Sequence, residues 1–159
     1  IIFEANGREQ SRDPYFTHLY RVDLDGKNLA LLTPENAAHQ VTLSPDAKYF
    51  VDNYSTMDKP GAAVLRDING KQIAELEKTD ISRLSATGWK APAAITVKSR
   101  DGRWDLYGLM YTPTNLDTKK KYPVVNYIYP GPQVGSVRSR SFAAMSRASL
   151  TGLRNGASP

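Results

Sequence analysis

The sequence contains no cysteine. Disulfides, thiolate chemistry and Cys-based zinc sites are excluded, and either redox compartment remains open. There are only two histidines, His18 and His39, too few by themselves for a His-rich metal site, and no cofactor is expected. No apolar run approaches the roughly 18 residues that a membrane helix requires. No signal-peptide pattern opens the chain, and since it starts at Ile1 rather than Met an upstream piece is expected to be missing. No Gly-x-Ser-x-Gly occurs, so the strand-to-helix elbow that exposes a serine nucleophile is not encoded in these residues. After Tyr129 the one aromatic residue is Phe142.

What is present describes a globular protein. The 159 residues are 40% hydrophobic and 23% charged, which suits one domain or parts of two. The net charge of +5 is concentrated late, in Lys119, Lys120 and Lys121 and then Arg138, Arg140, Arg147 and Arg154. A nucleic-acid surface would interleave such residues with aromatics. Their absence reads as a solvated basic loop, and no nucleic-acid partner is expected.

Residues 15–76 read as all-β. Tyr20, Val22 and Leu24 alternate with Arg21 and Asp23, the period of a strand. Asp25-Gly26 turns the chain into a return strand at 29–33, because both turn positions tolerate positive φ. Val41 and Leu43 open another strand, and Ser44-Pro45-Asp46-Ala47 forms a turn in which Pro presets φ and Asp bonds the backbone. A strand follows at 48–54, and 63–68, Asn69-Gly70 and 71–76 make a further hairpin. Strands this short, broken by turn residues, suit a propeller blade or a sandwich. Their number supplies one blade and part of another.

Residues 80–87 suit a short helix or a linker, and Gly88-Trp89-Lys90-Ala91-Pro92 breaks regular structure. A domain boundary is placed at 86–92. Beyond it, 95–98 and 104–111 read as strands about an Asp101-Gly102 turn. Residues 124–129, Val-Val-Asn-Tyr-Ile-Tyr, read as an apolar strand of the kind buried on both faces of an α/β sheet.

An ordered set of short motifs then carries a resemblance. It runs through Asp13-Pro14-Tyr15, His18-Leu19-Tyr20-Arg21-Val22, Leu32-Thr33-Pro34-Glu35, Ser44-Pro45-Asp46 and Tyr49-Phe50-Val51-Asp52. It continues through Val64-Leu65-Arg66-Asp67, Ala86-Thr87-Gly88-Trp89, Asp105-Leu106-Tyr107-Gly108, Lys121-Tyr122-Pro123-Val124-Val125 and Tyr127-Ile128-Tyr129-Pro130-Gly131-Pro132-Gln133. In this order the chain resembles bacterial members of the prolyl oligopeptidase family of serine peptidases, dipeptidyl peptidase IV branch. The likeness covers about 13 to 142.

The resemblance implies a mainly β chain. Residues 1–85 would be the C-terminal part of a β-propeller, 86–92 a linker, and 93–143 the first strands of an incomplete α/β-hydrolase domain. Residues 144–159 diverge from the family and are expected to be a frameshifted tail; a shifted reading frame downstream that encodes no Gly-x-Ser-x-Gly would dismiss that idea. The family removes dipeptides from free peptide N-termini, usually after Pro or Ala, through an acyl-enzyme. By the family motif, Tyr129 is the oxyanion-hole residue of the complete enzyme, since a phenol can donate to the oxygen that becomes anionic. The residues alone favour a core aromatic at a strand end. The nucleophile, base and orienter are absent, and neither His18 nor His39 is placed as a base. The chain alone is therefore expected to be inactive, and the alternative is a non-catalytic propeller-derived binding module. The expected partner is a peptide substrate in the complete enzyme, with a homo-oligomer as a further possibility through exposed strand edges. The resemblance also suggests a periplasmic or cell-envelope location.

Overall fold

In the computed structural model the described residues are 1–128 and 140–144. They divide into two compact units, Ile1–Asp80 with residues 140–142, and a second from Ile81 onward.

The first unit holds two antiparallel sheets. One has the order β1 (Ile2–Asn6), β2 (Thr17–Arg21), β3 (Ala30–Leu31). The other is a four-stranded meander of β4 (Ala38–Leu43), β5 (Tyr49–Ser55), β6 (Ala62–Asp67) and β7 (Gln72–Lys78). An antiparallel four-stranded sheet in simple meander order is the form of a propeller blade. Strands occur near each place expected in 15–76, but β2 ends at Arg21, so Val22 and Leu24 lie outside it, and the return strand expected at 29–33 is the two-residue β3. β1 is additional to them and pairs along its whole length with β2, from Ile2 opposite Arg21 to Asn6 opposite Thr17.

Turn chemistry sets the register. At the β4–β5 turn, Asp46 Oδ1 accepts from Ser44 Oγ at 2.7 Å and from the Lys48 amide at 3.2 Å. Ser44 Oγ in turn accepts from the Tyr49 amide at 3.1 Å. The same Ser/Thr-x-Asp device recurs at Thr56 and Asp58 (2.6 Å) and at Ser99 and Asp101 (2.6 Å). The donated hydroxyl bonds hold the Asp46 and Asp101 carboxyls below the usual carboxylate range.

The core lies where the two sheets meet. Leu19 of β2, Leu32 just after β3 and Phe50 of β5 form one buried cluster, with Ile2 and Val41 packed against it. Burying each such side chain contributes about 1.5–3 kcal/mol. The β6–β7 turn also closes onto the first sheet. Gly70 has φ +86°, and a Cβ there would stand 2.5 Å from the Leu32 carbonyl oxygen. Beside it Arg21 Nη1 donates to Asn69 Oδ1 at 2.7 Å.

The second unit contains a short helix, α1 (Ser82–Ala86), and a hairpin of β8 (Ala93–Lys98) and β9 (Asp105–Met110). Gly102 turns it at φ +73°, and Lys98 pairs with Asp105 at 2.7 Å. Ile95, Val97, Leu106 and Met110 are exposed.

One expectation is corrected. The apolar strand expected at 124–129 does not form through its described residues, 124–128, which carry no regular structure. Val124 is 91% exposed and Ile128 66%. A strand exists by pairing its backbone with a neighbour, and among the described residues none lies alongside. Tyr129 and residues 145–159 of the expected divergent tail lie outside the described residues.

Two turn glycines separate strain from contact. Gly26 has φ +81° with open space where a Cβ would go, so Gly26→Ala should cost only the left-handed strain, about 1–2 kcal/mol. Gly70→Ala adds collision with the Leu32 backbone and should cost clearly more. Urea midpoints of the two variants compare them; equal losses would contradict the close approach.

Candidate functional site

The densest group of titratable side chains in the described residues sits inside the four-stranded blade. Antiparallel register creates it. Val41 is opposite Asp52 and His39 opposite Tyr54, so His39 and Asp52 are diagonal neighbours. Phe50 is opposite Arg66 and Asp52 opposite Val64, so Asp52 and Arg66 are diagonal too. Diagonal pairs on one face of a sheet lie within reach of long side chains. One inward row therefore carries His39, Asp52 and Arg66 across three strands.

All three are buried, Asp52 at 0% and Arg66 at 2% exposure. His39 Nδ1 lies 2.9 Å from Asp52 Oδ1. Arg66 Nε donates to Asp52 Oδ2 at 3.0 Å, Nη2 to Glu35 Oε1 at 2.6 Å, and Nη1 to the Gly70 carbonyl at 3.1 Å. Burial opposes the Arg66 charge, but the bonds to Glu35 and Asp52 outweigh it and hold the guanidinium above its already high ordinary value. His39 Nε2 faces the Glu35 carbonyl at 3.1 Å. A singly protonated ring donates to one of its two acceptors; a doubly protonated ring donates to both.

His18 of β2 packs beside this group, its ring centroid 5.0 Å from that of His39. Its Nδ1 is 3.0 Å from the Thr33 carbonyl, which makes Nδ1 the protonated nitrogen. Nε2 is buried and has no partner among the described residues. Burial, with the neighbouring His39, pushes the His18 value down from 6.5. On the same strand, burial and a 2.9 Å bond to Glu9 push the Tyr20 phenol up to about 12.

Glu35, His39 and Asp52 offer ligand atoms within 4.8 Å of one another. Three such groups could hold a metal ion, yet one oxygen of each carboxylate is already bound by Arg66. The guanidinium is the cation this cluster is built around. Nearby, an open cleft of about 360 Å³ is lined by Glu35, Tyr54, Lys59 and Lys78 among others.

The expected oxyanion residue, Tyr129, is not among the residues described. His18 and His39 are buried strand residues. Asp46 shapes a turn, whereas Asp52 points into the blade. The Asp52–Arg66–Glu35 group was not read from the sequence; in β5, Asp52 shares its buried face with Phe50.

Known proteins resemble this chain in sequence and fold. The N-terminal region of dipeptidyl peptidase IV, as a family sequence model, matches residues 1–61. Dipeptidyl peptidase 8 of Homo sapiens is 30% identical over 135 residues, covering 80% of this chain and 15% of that protein. The mouse protein of that name is 31% identical over 116 residues, 69% of this chain and 13% of its own length. A putative dipeptidyl aminopeptidase IV from Bacteroides ovatus, solved as a crystal structure, superposes with a TM-score of 0.66 at 28% identity, over 89% of this chain and 19% of that one.

The chain belongs to the dipeptidyl peptidase IV family.

The structure of Porphyromonas gingivalis dipeptidyl peptidase 4 has the same fold, with a TM-score of 0.70 at 19% identity over 89% of this chain and 20% of that one. The two sheets are accordingly blades of the propeller in the family's N-terminal region. The chain spans 13 to 15% of the length of these two curated relatives.

Two outcomes follow for the dipeptidyl peptidase blade. Arg66→Met strands the wholly buried Asp52 carboxylate without its guanidinium and should cost about 3–5 kcal/mol, read from urea unfolding. For His18 the folded value is depressed, so its stabilising share is present above about 6.5 and is lost as pH falls below that and through the folded value. His18→Asn, which retains a donor near the Nδ1 position, should flatten the fall in unfolding free energy below pH 6.5. An unchanged slope would contradict the assignment.

Proposed function

We propose that the whole protein is a serine exopeptidase that releases dipeptides from free N-termini, after Pro or Ala, through an acyl-enzyme. In this reading residues 1–85 end the propeller, 86–92 link it, and 93–143 open the α/β-hydrolase domain. The observation that carries it is the likeness to the Bacteroides ovatus putative dipeptidyl aminopeptidase IV. At 28% identity that likeness extends over 89% of the chain, well past the blades.

The chemistry follows from what such a reaction needs. A serine attacks the carbonyl carbon of the second residue while a histidine takes its proton, and the carbonyl oxygen becomes an oxyanion; collapse breaks the peptide bond, the histidine gives the proton to the departing amine, and water then hydrolyses the acyl-enzyme. Tyr129 is the group assigned to that oxyanion: its hydroxyl donates as negative charge develops and releases little of that bond's strength to the ground state. The peptide is the substrate, and no metal or organic cofactor enters the scheme. The blades enclose the site and do not form or break bonds.

The 159 residues contain no Gly-x-Ser-x-Gly, so this chain alone is expected to show no turnover of a chromogenic Gly-Pro or Ala-Ala dipeptide substrate. Turnover abolished by a serine-directed inhibitor would refute that. In the whole protein, Tyr129→Phe should lower kcat by about 10²–10³ with KM little changed, the loss of one oxyanion donor. A variant with wild-type kcat would remove Tyr129 from the mechanism.

A further inference from the structure

One charged side chain is buried outside the Asp52 cluster and belongs to a segment distant in sequence. Arg140 has 0% exposure. Its Nε is 2.9 Å from Asp13 Oδ2, an ion pair. Its guanidinium carbon stands 5.2 Å from the centre of the Tyr15 ring, and its Nη1 is 3.8 Å from Met57 Sδ. Two residues on, the Phe142 amide donates to Ser55 Oγ at 2.9 Å.

The four contacts come from two places in the chain. Asp13 and Tyr15 lie between β1 and β2 of the first sheet; Ser55 ends β5, and Met57 follows it in the β5–β6 connection of the second. One short stretch therefore touches both blades, more than 80 residues along the chain from Ser55 and Met57. The socket is shaped in advance. Asp13 Oδ1 accepts from the Tyr15 amide at 2.9 Å, and the Asp13 carbonyl accepts from the Phe16 amide at 3.0 Å. These bonds fix the loop and leave Oδ2 for the arginine. Removing a guanidinium from water is unfavourable unless charge and polarisable surface replace the hydration. A carboxylate, an aromatic ring and a thioether sulfur supply that replacement here.

We propose that residues 140–142 act as a latch: Arg140 plugs a preformed socket of Asp13, Tyr15 and Met57, Phe142 bonds Ser55, and together they strap the two blades. The socket is thus an interaction surface whose occupant is this chain's own Arg-Ser-Phe segment. The latch does not depend on the peptidase reading.

Limited trypsin digestion of the full chain, with fragments weighed by mass spectrometry, tests it. Trypsin cleaves after Arg only where the side chain and its backbone are accessible. Arg103 and Lys120 are exposed and serve as internal references. In the wild type the initial rate of cleavage after Arg140 should be at least tenfold below that after Arg103. Asp13→Asn keeps an acceptor for the Tyr15 amide and removes the charge, so it should raise the Arg140 rate tenfold or more relative to Arg103. Cleavage after Arg66, inside β6, reports loss of the blades. If Asp13→Asn raises that as well, Tyr15→Leu, which removes only the ring over the guanidinium, is read in the same way. Wild-type cleavage at Arg140 as fast as at Arg103 would overturn the latch. So would an Arg140 rate unchanged by the Asp13→Asn variant, or by Tyr15→Leu where that one is used.

Discussion

The Asp52 carboxylate is the constraint on which the blade pair is organised. It is wholly buried, with His39 Nδ1 2.9 Å from Oδ1 and 3.1 Å from Oδ2 and with Arg66 Nε donating to Oδ2. A carboxylate in that position is tolerated only with its partners in place. The partners fix three strands relative to one another, because the side chains reach each other only in the observed diagonal register. Arg66 extends the constraint outward. Its second nitrogen reaches Glu35 in the connection from the first sheet, and its third reaches Gly70 in the turn pressed against Leu32. The apolar cluster of Leu19, Leu32 and Phe50 contributes the undirected part of the stability. The charge cluster adds direction, since an apolar seam alone would accept a slipped strand more readily.

Much of the blade was legible because its signals are local. Asp25-Gly26, Ser44-Pro45-Asp46 and Asn69-Gly70 mark reversals by their own backbone preferences, and the alternation between them yields the strands. β1 was missed because it is only five residues long and its pairing is entirely with β2, eleven or more residues on. The Asp52–Arg66–Glu35 group depends on register across three strands and on a loop before them. No spacing within one segment encodes that. Arg140 is harder still: in the sequence it is one of several late arginines, and only its distant partners distinguish it.

The apolar stretch at 124–128 shows the opposite failure. Its composition is that of an inner sheet strand, but strand formation is a relation between segments, and without a paired neighbour among the described residues the same side chains stand open. The β8–β9 hairpin forms because its two halves are joined by a tight turn with Asp101 and Gly102, yet its apolar residues are exposed in the same way. A lone two-stranded ribbon is marginal in water. The family likeness is strongest in kind for the blades, where sequence match and strand topology coincide.

The central claim is that Asp52 and Arg66 act as one buried unit, and a double-mutant cycle measures it. Urea unfolding of Asp52→Ala, Arg66→Ala and the double variant gives the coupling directly. The account predicts that the double substitution costs less than the summed single losses, by about 0.5–3 kcal/mol. Additive losses would show that the two groups stabilise the blade independently, and would contradict it.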